Sequence, residues 1–300
     1  MSTMTGVRCP LCGEAAPRMF RTLDRNRRMT DDSFTYRRCK ACRLIFVEDP
    51  PDDLDPYYAD EYHGVPDLGA VEGVARLHQH QIDLVTRYVK PGRLIEIGPA
   101  FGWFSLLARE AGFDVTAIEM DPTCCQFLRE EVGVDAVCTD EPAEALPALG
   151  PARAVVLWQV VEHLRDPWAC LTAAAQCLEP DGILVVGTPN PDALSFKVMR
   201  GHWPHVDAPR HLWLIPGEVL IRTMQGHEMD LEEIRYDDPD ALEWNRFSWE
   251  RFFHNSLPQP RRVQRAGVRL GGAISTIAAR AEQRGTNGST YTAVFRKRAS

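Results

Sequence analysis

Apolar and polar positions along this chain change period in a regular order. The run Leu94, Ile95, Ile97 reads as a buried strand, Phe104 to Glu110 has helical composition, and Asp114 to Ile118 returns to β-branched alternation. Gly98 and Gly102 bracket the turn between strand and helix, and Glu119 falls at the tip of the second strand. This is the order of a βαβ unit. Farther along, Pro122 to Val132 predicts a helix, Val134 to Cys138 a third strand and Ala154 to Trp158 a fourth. Leu171 to Leu178 reads as a helix and Ile183 to Gly187 as a buried fifth strand, while Leu231 to Arg235 and Tyr291 to Arg296 alternate as a sixth and a seventh.

The flanks of this array divide the chain. Asp49 to Asp55, DPPDDLD, is a linker and boundary. It sets a domain of residues 1–50 apart from a linker and helical segment, 51–90, and from a domain spanning 91–300. The middle segment holds Tyr57, Tyr58, Tyr62 and His63, then a helical stretch from Val71 to Val89 with Leu77, Ile82, Leu84, Val85 and Tyr88 apolar. Its tyrosines either line a pocket mouth or pack. Residues 239–288 form an insertion with Trp244, Phe247, Trp249, Phe252 and Phe253, followed by a helix from about Arg261 to Arg284. That helix carries Val263, Leu270, Ile274, Ile277 and Ala281 on one side. A basic amphipathic helix of this kind packs on its own domain or on a second subunit, or lies on a membrane surface.

Charge is segregated. Residues 1–50 carry ten Lys/Arg against six Asp/Glu, and 245–300 carry eleven against two, which leaves −21 for the middle of a chain whose net charge is −8. An acidic middle argues against wholesale nucleic-acid binding. Arg25, Arg27, Arg28, Arg37, Arg38 and Lys40 cluster near the start and either touch phosphate or form a solvated face. No run of 18 apolar residues occurs, and MSTMTGVRCP lacks the apolar core of a signal peptide, so a cytoplasmic location is expected.

Nine cysteines in that compartment should be reduced or metal-bound. Cys9 and Cys12 form one C-x2-C pair and Cys39 and Cys42 another, 26 residues apart. Two thiolate knuckles at that spacing suit tetrahedral Zn2+, and four sulfur ligands leave the metal no open position, so its expected role is structural.

The turn at Gly98 favours close approach of a ligand to main chain, and the opening N–H groups of the following helix favour an anion. An acid at the tip of the next strand suits the hydroxyls of a ribose. The dinucleotide pattern G-x-G-x-x-G is not met, because Trp103 stands where the third glycine belongs. Glu96, Gly98, Ala100 and Gly102 instead resemble motif I, E-x-G-x-G-x-G, of class I S-adenosylmethionine-dependent methyltransferases, with Ala100 in a glycine position. The stretches VVLWQVVEHLRDP, CLEPDGILVVGTPN and Asp207-Ala-Pro-Arg210-His211-Leu212 resemble the branch that contains ubiquinone-biosynthesis-type O-methyltransferases, over roughly residues 9–236. Many members of that broad family carry a zinc ribbon and a Tyr-Tyr segment ahead of motif I.

The resemblance implies an α/β fold: a seven-stranded, mostly parallel Rossmann-like methyltransferase sheet, its last strand antiparallel, with a small N-terminal zinc-ribbon domain. It implies S-adenosylmethionine as cofactor, bound by Glu96, Gly98, Ala100, Phe101, Gly102, Glu119, Met120, Asp140, Trp158 and Gln159, with Glu141 in reserve for Asp140. Phe101, Trp103 and Trp158 either face the sulfonium and adenine or pack the core. Methyl transfer to a hydroxyl of a small molecule, such as a sugar, a quinone-like ring or a natural product, needs a base, and His163 beyond the fourth strand is the first candidate. His211 is the second. Arg210 either holds an anionic group or pairs with Asp207. Rival readings are an RNA base methyltransferase and a non-catalytic regulator that senses the cofactor. Methyl acceptor, atom methylated and oligomeric state stay open; homo-oligomerisation is compatible with the insertion.

Overall fold

The computed structural model describes residues 6–58, 64–257 and 261–299. Tyr62 and His63 of the aromatic segment lie outside the described residues, as do residues 1–5 and residues 258–260 of the insertion. In chain order the strands are β1 (Arg18–Leu23), β2 (Ser33–Arg38), β3 (Ile45–Glu48), β4 (Arg93–Ile97), β5 (Asp114–Glu119), β6 (Asp135–Cys138), β7 (Ala152–Trp158), β8 (Leu178–Pro189), β9 (Trp213–Leu214), β10 (Met229–Arg235) and β11 (Thr290–Lys297). The helices are α1 (Leu68–Leu77), α2 (Gln79–Tyr88), α3 (Trp103–Glu110), α4 (Pro122–Phe127), α5 (Pro142–Leu149), α6 (Pro167–Cys177), α7 (Leu194–Met199), α8 (Gly217–Gln225), α9 (Pro239–Ser256) and α10 (Arg261–Glu282). None is long and apolar enough to cross a membrane.

Two compact units result. One, here the ribbon unit, gathers Met1–Tyr57, Thr188–Leu220 and Arg235–Tyr291; the other, the sheet unit, gathers Tyr58–Gly187, Ile221–Ile234 and Thr292–Ser300.

The sheet unit is built on the seven-stranded sheet in the order β10-β11-β8-β7-β4-β5-β6. β4 pairs in parallel with both β5 and β7, and β5 with β6 and β7 with β8 likewise, so consecutive strands must be joined by crossovers that cover the faces. Leu94, Ala117, Val156 and Val185 on the strands meet Phe104, Leu107, Phe127 and Leu128 from the covering helices in one buried core. Asp-Pro pairs start two of these helices. Asp121 caps α4 and Asp166 caps α6, each carboxylate accepting a first-turn N–H while the proline that follows lacks the N–H that would be orphaned there.

Several elements differ from their sequence expectation: α5 and α8 stand where none is marked, and α6 starts four residues early, at Pro167. The 71–89 stretch is two helices, broken at His78. The helix after β5 changes at Leu128–Val132 into a π-helical turn ended by Gly133. β8 begins at Leu178, five residues earlier than the apolar run, because Glu179 to Gly182 continue the strand through an irregularity opposite Ala152 to Ala154.

In the ribbon unit, β1, β2, β3 and β9 form an antiparallel sheet, with Ile45 opposite Leu214 and Phe46 opposite Trp213. The N-terminal residues are fastened to the later segments of the unit. Tyr36 Oη donates to the carbonyls of Val206 and His211 at 3.0 and 2.7 Å, and Thr22 Oγ1 to that of Gly201. α9, capped by Asp238 with Pro239 behind it, packs along α10. The face of α10 turned inward is not the apolar one that periodicity marks. Gln264, Gly267, Gly271, Ser275 and Glu282 are buried, whereas Val263, Leu270 and Ile277 are 37, 48 and 82% exposed. Small residues win because α9 runs so close: a Cβ on Gly271 would stand 2.5 Å from the Trp249 carbonyl oxygen.

Candidate active site

β4 ends at Ile97 and α3 starts at Trp103, so five residues must reverse the chain. Gly98 and Gly102 do so with φ of 68° and 79°, values that favour glycine. Packing imposes the same choice. A Cβ on Gly98 would lie 2.6 Å from Val160 Cγ2, and one on Gly102 would lie 2.4 Å from Leu128 Cδ2. Ala100 shares the left-handed conformation, at φ 51°, which costs an L-residue about 1–2 kcal/mol. The departure from motif I thus keeps the motif's backbone and accepts strain.

Glu119 holds this loop from the next strand. Its Oε2 accepts the Ala100 N–H at 2.9 Å, and its Oε1 accepts those of Met120 and Asp121 at 2.8 and 3.0 Å. Burial pushes its pKa up, outweighing those three N–H groups. A carboxylate has about four acceptor positions, so roughly one stays open for a ribose hydroxyl. That position is on Oε2, beside the Ala100 N–H. Glu96, on β4, is held instead from α3: Ser105 Oγ donates to it, and burial, with the nearby Glu119 adding to it, drives its pKa to about 8.

Other expected cofactor contacts gather at the same carboxyl edge. Met120 is 46% exposed. Asp140 is exposed, two residues beyond Cys138, which stands opposite Glu119 in register. Phe101 sits edge-on to Phe127 at 5.4 Å. Gln159 follows β7 at φ 56°, its N–H donating to Gly187. Trp158 is buried against Phe104 at 5.5 Å, with an Nε1–H that finds no acceptor among the described residues. Trp103 packs by His78, its Nε1–H likewise without an acceptor. No side chain caps the N-terminus of α3, so its first-turn N–H groups can serve a ligand carboxylate. A nearby concavity of about 420 Å³ is lined by Leu68, Thr123, Gln126, Phe127 and Glu130, and none of the expected cofactor contacts faces it.

His163 stands in the turn after β7, its N–H donating to the Val160 carbonyl and its Nδ1 2.8 Å from Tyr58 Oη. When Nδ1 carries the proton and donates to the tyrosine oxygen, Nε2 is left as a base. His211 belongs to the ribbon unit. It is buried, which lowers its pKa, and its Nδ1–H donates to the His205 carbonyl at 2.8 Å.

Arg210 is fully buried and committed to the fold. It donates to Asp207 and Asp24 at 2.7 and 3.1 Å and to the Tyr57 carbonyl. Although burial would raise the Asp207 pKa, the Arg210 hydrogen bonds pull it well below the usual carboxylate range. Of the two readings of Arg210, the pairing one describes the structure.

The sulfurs of Cys9, Cys12, Cys39 and Cys42 all lie within 4.8 Å of one another. Their contacts of 3.4 to 3.7 Å approach the edge of about 3.8 Å expected for a tetrahedron with metal–sulfur bonds of about 2.3 Å. The Cys42 N–H points at the Cys39 sulfur, as in a thiolate knuckle.

Motifs located these positions but not their partners. Ser105, Val160 and Leu128 are unremarkable apolar or small residues in the sequence, and only the folded chain shows that they fix Glu96, Gly98 and Gly102. Tyr58 lay in an aromatic segment read as pocket lining or packing; nothing in its spacing singled it out as the partner of His163.

A glycine turn closed by a carboxylate on a mostly parallel, seven-stranded sheet defines a Rossmann-like nucleoside-binding class. A family model described as a methyltransferase domain matches residues 74–234, and the chain belongs to that family. It is an S-adenosylmethionine-dependent methyltransferase. The ubiquinone biosynthesis O-methyltransferase of Cereibacter sphaeroides is 33% identical over 166 residues, covering 51% of this chain and 67% of that protein. The protein of the same description from Xanthomonas campestris pv. campestris is 29% identical over 173 residues, covering 50% and 72%. Among solved structures, a SAM-dependent methyltransferase from Archaeoglobus fulgidus shares the fold with a TM-score of 0.51 at 17% identity, over 82% of this chain and all of that one. Haemonchus contortus phosphoethanolamine N-methyltransferase 2, in complex with S-adenosyl-L-methionine, does so with a TM-score of 0.53 at 14% identity, over 85% and 62%.

Proposed function

We propose that this methyltransferase alkylates a hydroxyl of a small molecule, with His163 as general base. The observation that carries the reading is the placing of His163 and Tyr58 in the same compact unit, and at the same sheet edge, as the Glu119 loop. Similarity to ubiquinone biosynthesis O-methyltransferases supports oxygen as the atom methylated.

The cofactor brings an activated methyl on a positively charged sulfur, so the chain needs only to position, desolvate and deprotonate. Glu119 would hold the ribose and the α3 N-terminus the methionine carboxylate. Met120 and Asp140 would flank adenine, and Trp158 would wall the pocket. Tyr58 would fix the tautomer of His163 so that Nε2 takes the acceptor's proton. In the ribbon unit, Cys9, Cys12, Cys39 and Cys42 would hold one Zn2+ in a structural role.

His163→Ala should lower turnover about 100- to 10,000-fold while S-adenosylhomocysteine binds as before in calorimetry. Full activity in that variant would remove His163 from the mechanism. Supplying methyl-labelled cofactor with fractionated extract, then testing whether hydriodic acid readily releases the label from the product as methyl iodide, separates an O-methyl ether from N- or C-methylation.

A further inference from the structure

The loop between β1 and β2 holds cations that the methyl-transfer reading does not use. Asp24 accepts the backbone N–H groups of Arg27 and Met29, so the loop is built around a buried carboxylate rather than splayed in solvent. Asn26 is clamped in turn, its amide donating to the Pro204 carbonyl and to Asp207 at 2.7 and 2.6 Å. α9 closes on the same loop: Arg251 donates to the Asn26 carbonyl at 2.6 Å, Asn255 to the Asn26 side chain, and Arg28 reaches the Asn255 carbonyl. Arg28 itself takes φ 58°, a strained conformation for a side-chain-bearing residue.

This scaffold holds like charges together and leaves buried guanidinium donors unmet. Arg25 and Arg251 are half-buried, and the Nε–H of each is buried with no acceptor among the described residues. Burial lowers the pKa of both and Arg28 lowers each further, while Asp207 pulls that of Arg251 part of the way back. His202 is pushed down by burial and by Arg25. Asp24 and Asp207, the acids that hold this loop in place, are already bonded to Arg210. Holding guanidinium groups near one another with buried N–H donors unmet is unfavourable, and an acceptor-rich dianion would reverse the sign.

We infer that Arg25, Arg28, Arg251 and His202 form a binding site for the phosphate or diphosphate group of a small phosphorylated molecule. Guanidinium forks suit phosphate oxygens in pairs, and exposed Arg28 and His202 leave the site open to solvent. The inference goes beyond methyl transfer and does not depend on the choice of acceptor atom.

The test is calorimetry of the full-length protein with inorganic pyrophosphate, with nucleoside diphosphate and with phosphate, at fixed ionic strength. Binding of pyrophosphate or nucleoside diphosphate is expected, weakened about tenfold or more by Arg25→Gln and by Arg28→Gln and restored in part by Arg25→Lys. Arg28 is exposed, so that variant keeps the fold even if Arg251→Gln does not. A preference for the nucleoside diphosphate would assign an ester; equal binding would assign the inorganic ion. Absence of binding at millimolar concentration, or affinity unchanged in both glutamine variants, overturns the site. Tighter binding of a short single-stranded RNA, falling steeply with salt, would overturn it as a small-molecule site.

Discussion

Glu96 and Glu119 stand on neighbouring strands with opposite prospects. Glu119 is buried among three N–H donors that offset part of the burial that raises its pKa. Glu119→Ala should weaken S-adenosylhomocysteine binding about 10- to 100-fold, since a charged hydrogen bond to ribose is worth about 1.5–3 kcal/mol. Unchanged affinity in calorimetry would remove the ribose contact. Glu96 has one hydroxyl partner and a pKa of about 8. The native state therefore keeps a proton that the unfolded chain releases near pH 4.3. Its contribution to stability is fullest below pH 4.3 and is lost as pH rises toward 8, by on the order of a few kcal/mol. Glu96→Gln should flatten the fall in urea-unfolding stability across that window. Parallel pH profiles in the two proteins would place an ionised Glu96 in the native state.

At the scale of elements, α10 shows how packing overrides periodicity. Its approach to α9 is set by Gly267 and Gly271, not by the larger apolar side chains. Gly271→Leu should cost about 2–3 kcal/mol by forcing the helices apart. Ile277→Asp, at a position 82% exposed, should change stability by no more than about 0.5 kcal/mol. Chemical denaturation of the two variants checks both; a destabilising Ile277→Asp would mean that this face is covered in solution.

Across the whole molecule, two units built from interleaved segments share one chain but not one set of stabilising devices. The sheet unit rests on its apolar core, whereas the ribbon unit has one four-stranded sheet, a buried Asp24–Arg210–Asp207 network and four clustered thiols. Cys39→Ser, or a strong chelator, should release about one zinc per chain and lower the unfolding temperature of the ribbon unit. S-adenosylhomocysteine binding by the sheet unit should persist. No zinc in the purified protein by elemental analysis would leave the thiols a hydrogen-bonded cluster.

The order of strands from β4 to β8, the glycine turn, Glu119 and the paired cysteines were legible in the sequence, though α5 was not. Each depends on local chemistry: side-chain period, the backbone freedom of glycine, the reach of a two-residue knuckle. The family resemblance was legible for the same reason, as it rests on those spacings. What the tertiary structure decided was partnership. Asp24 meets Arg210 from 186 positions away, and Arg28 meets Asn255 from 227. The inward face of α10 was likewise hidden, because the periodicity of one helix cannot tell how near its neighbour will come. Sequence period records which residues share a face; only the folded chain determines what that face is pressed against.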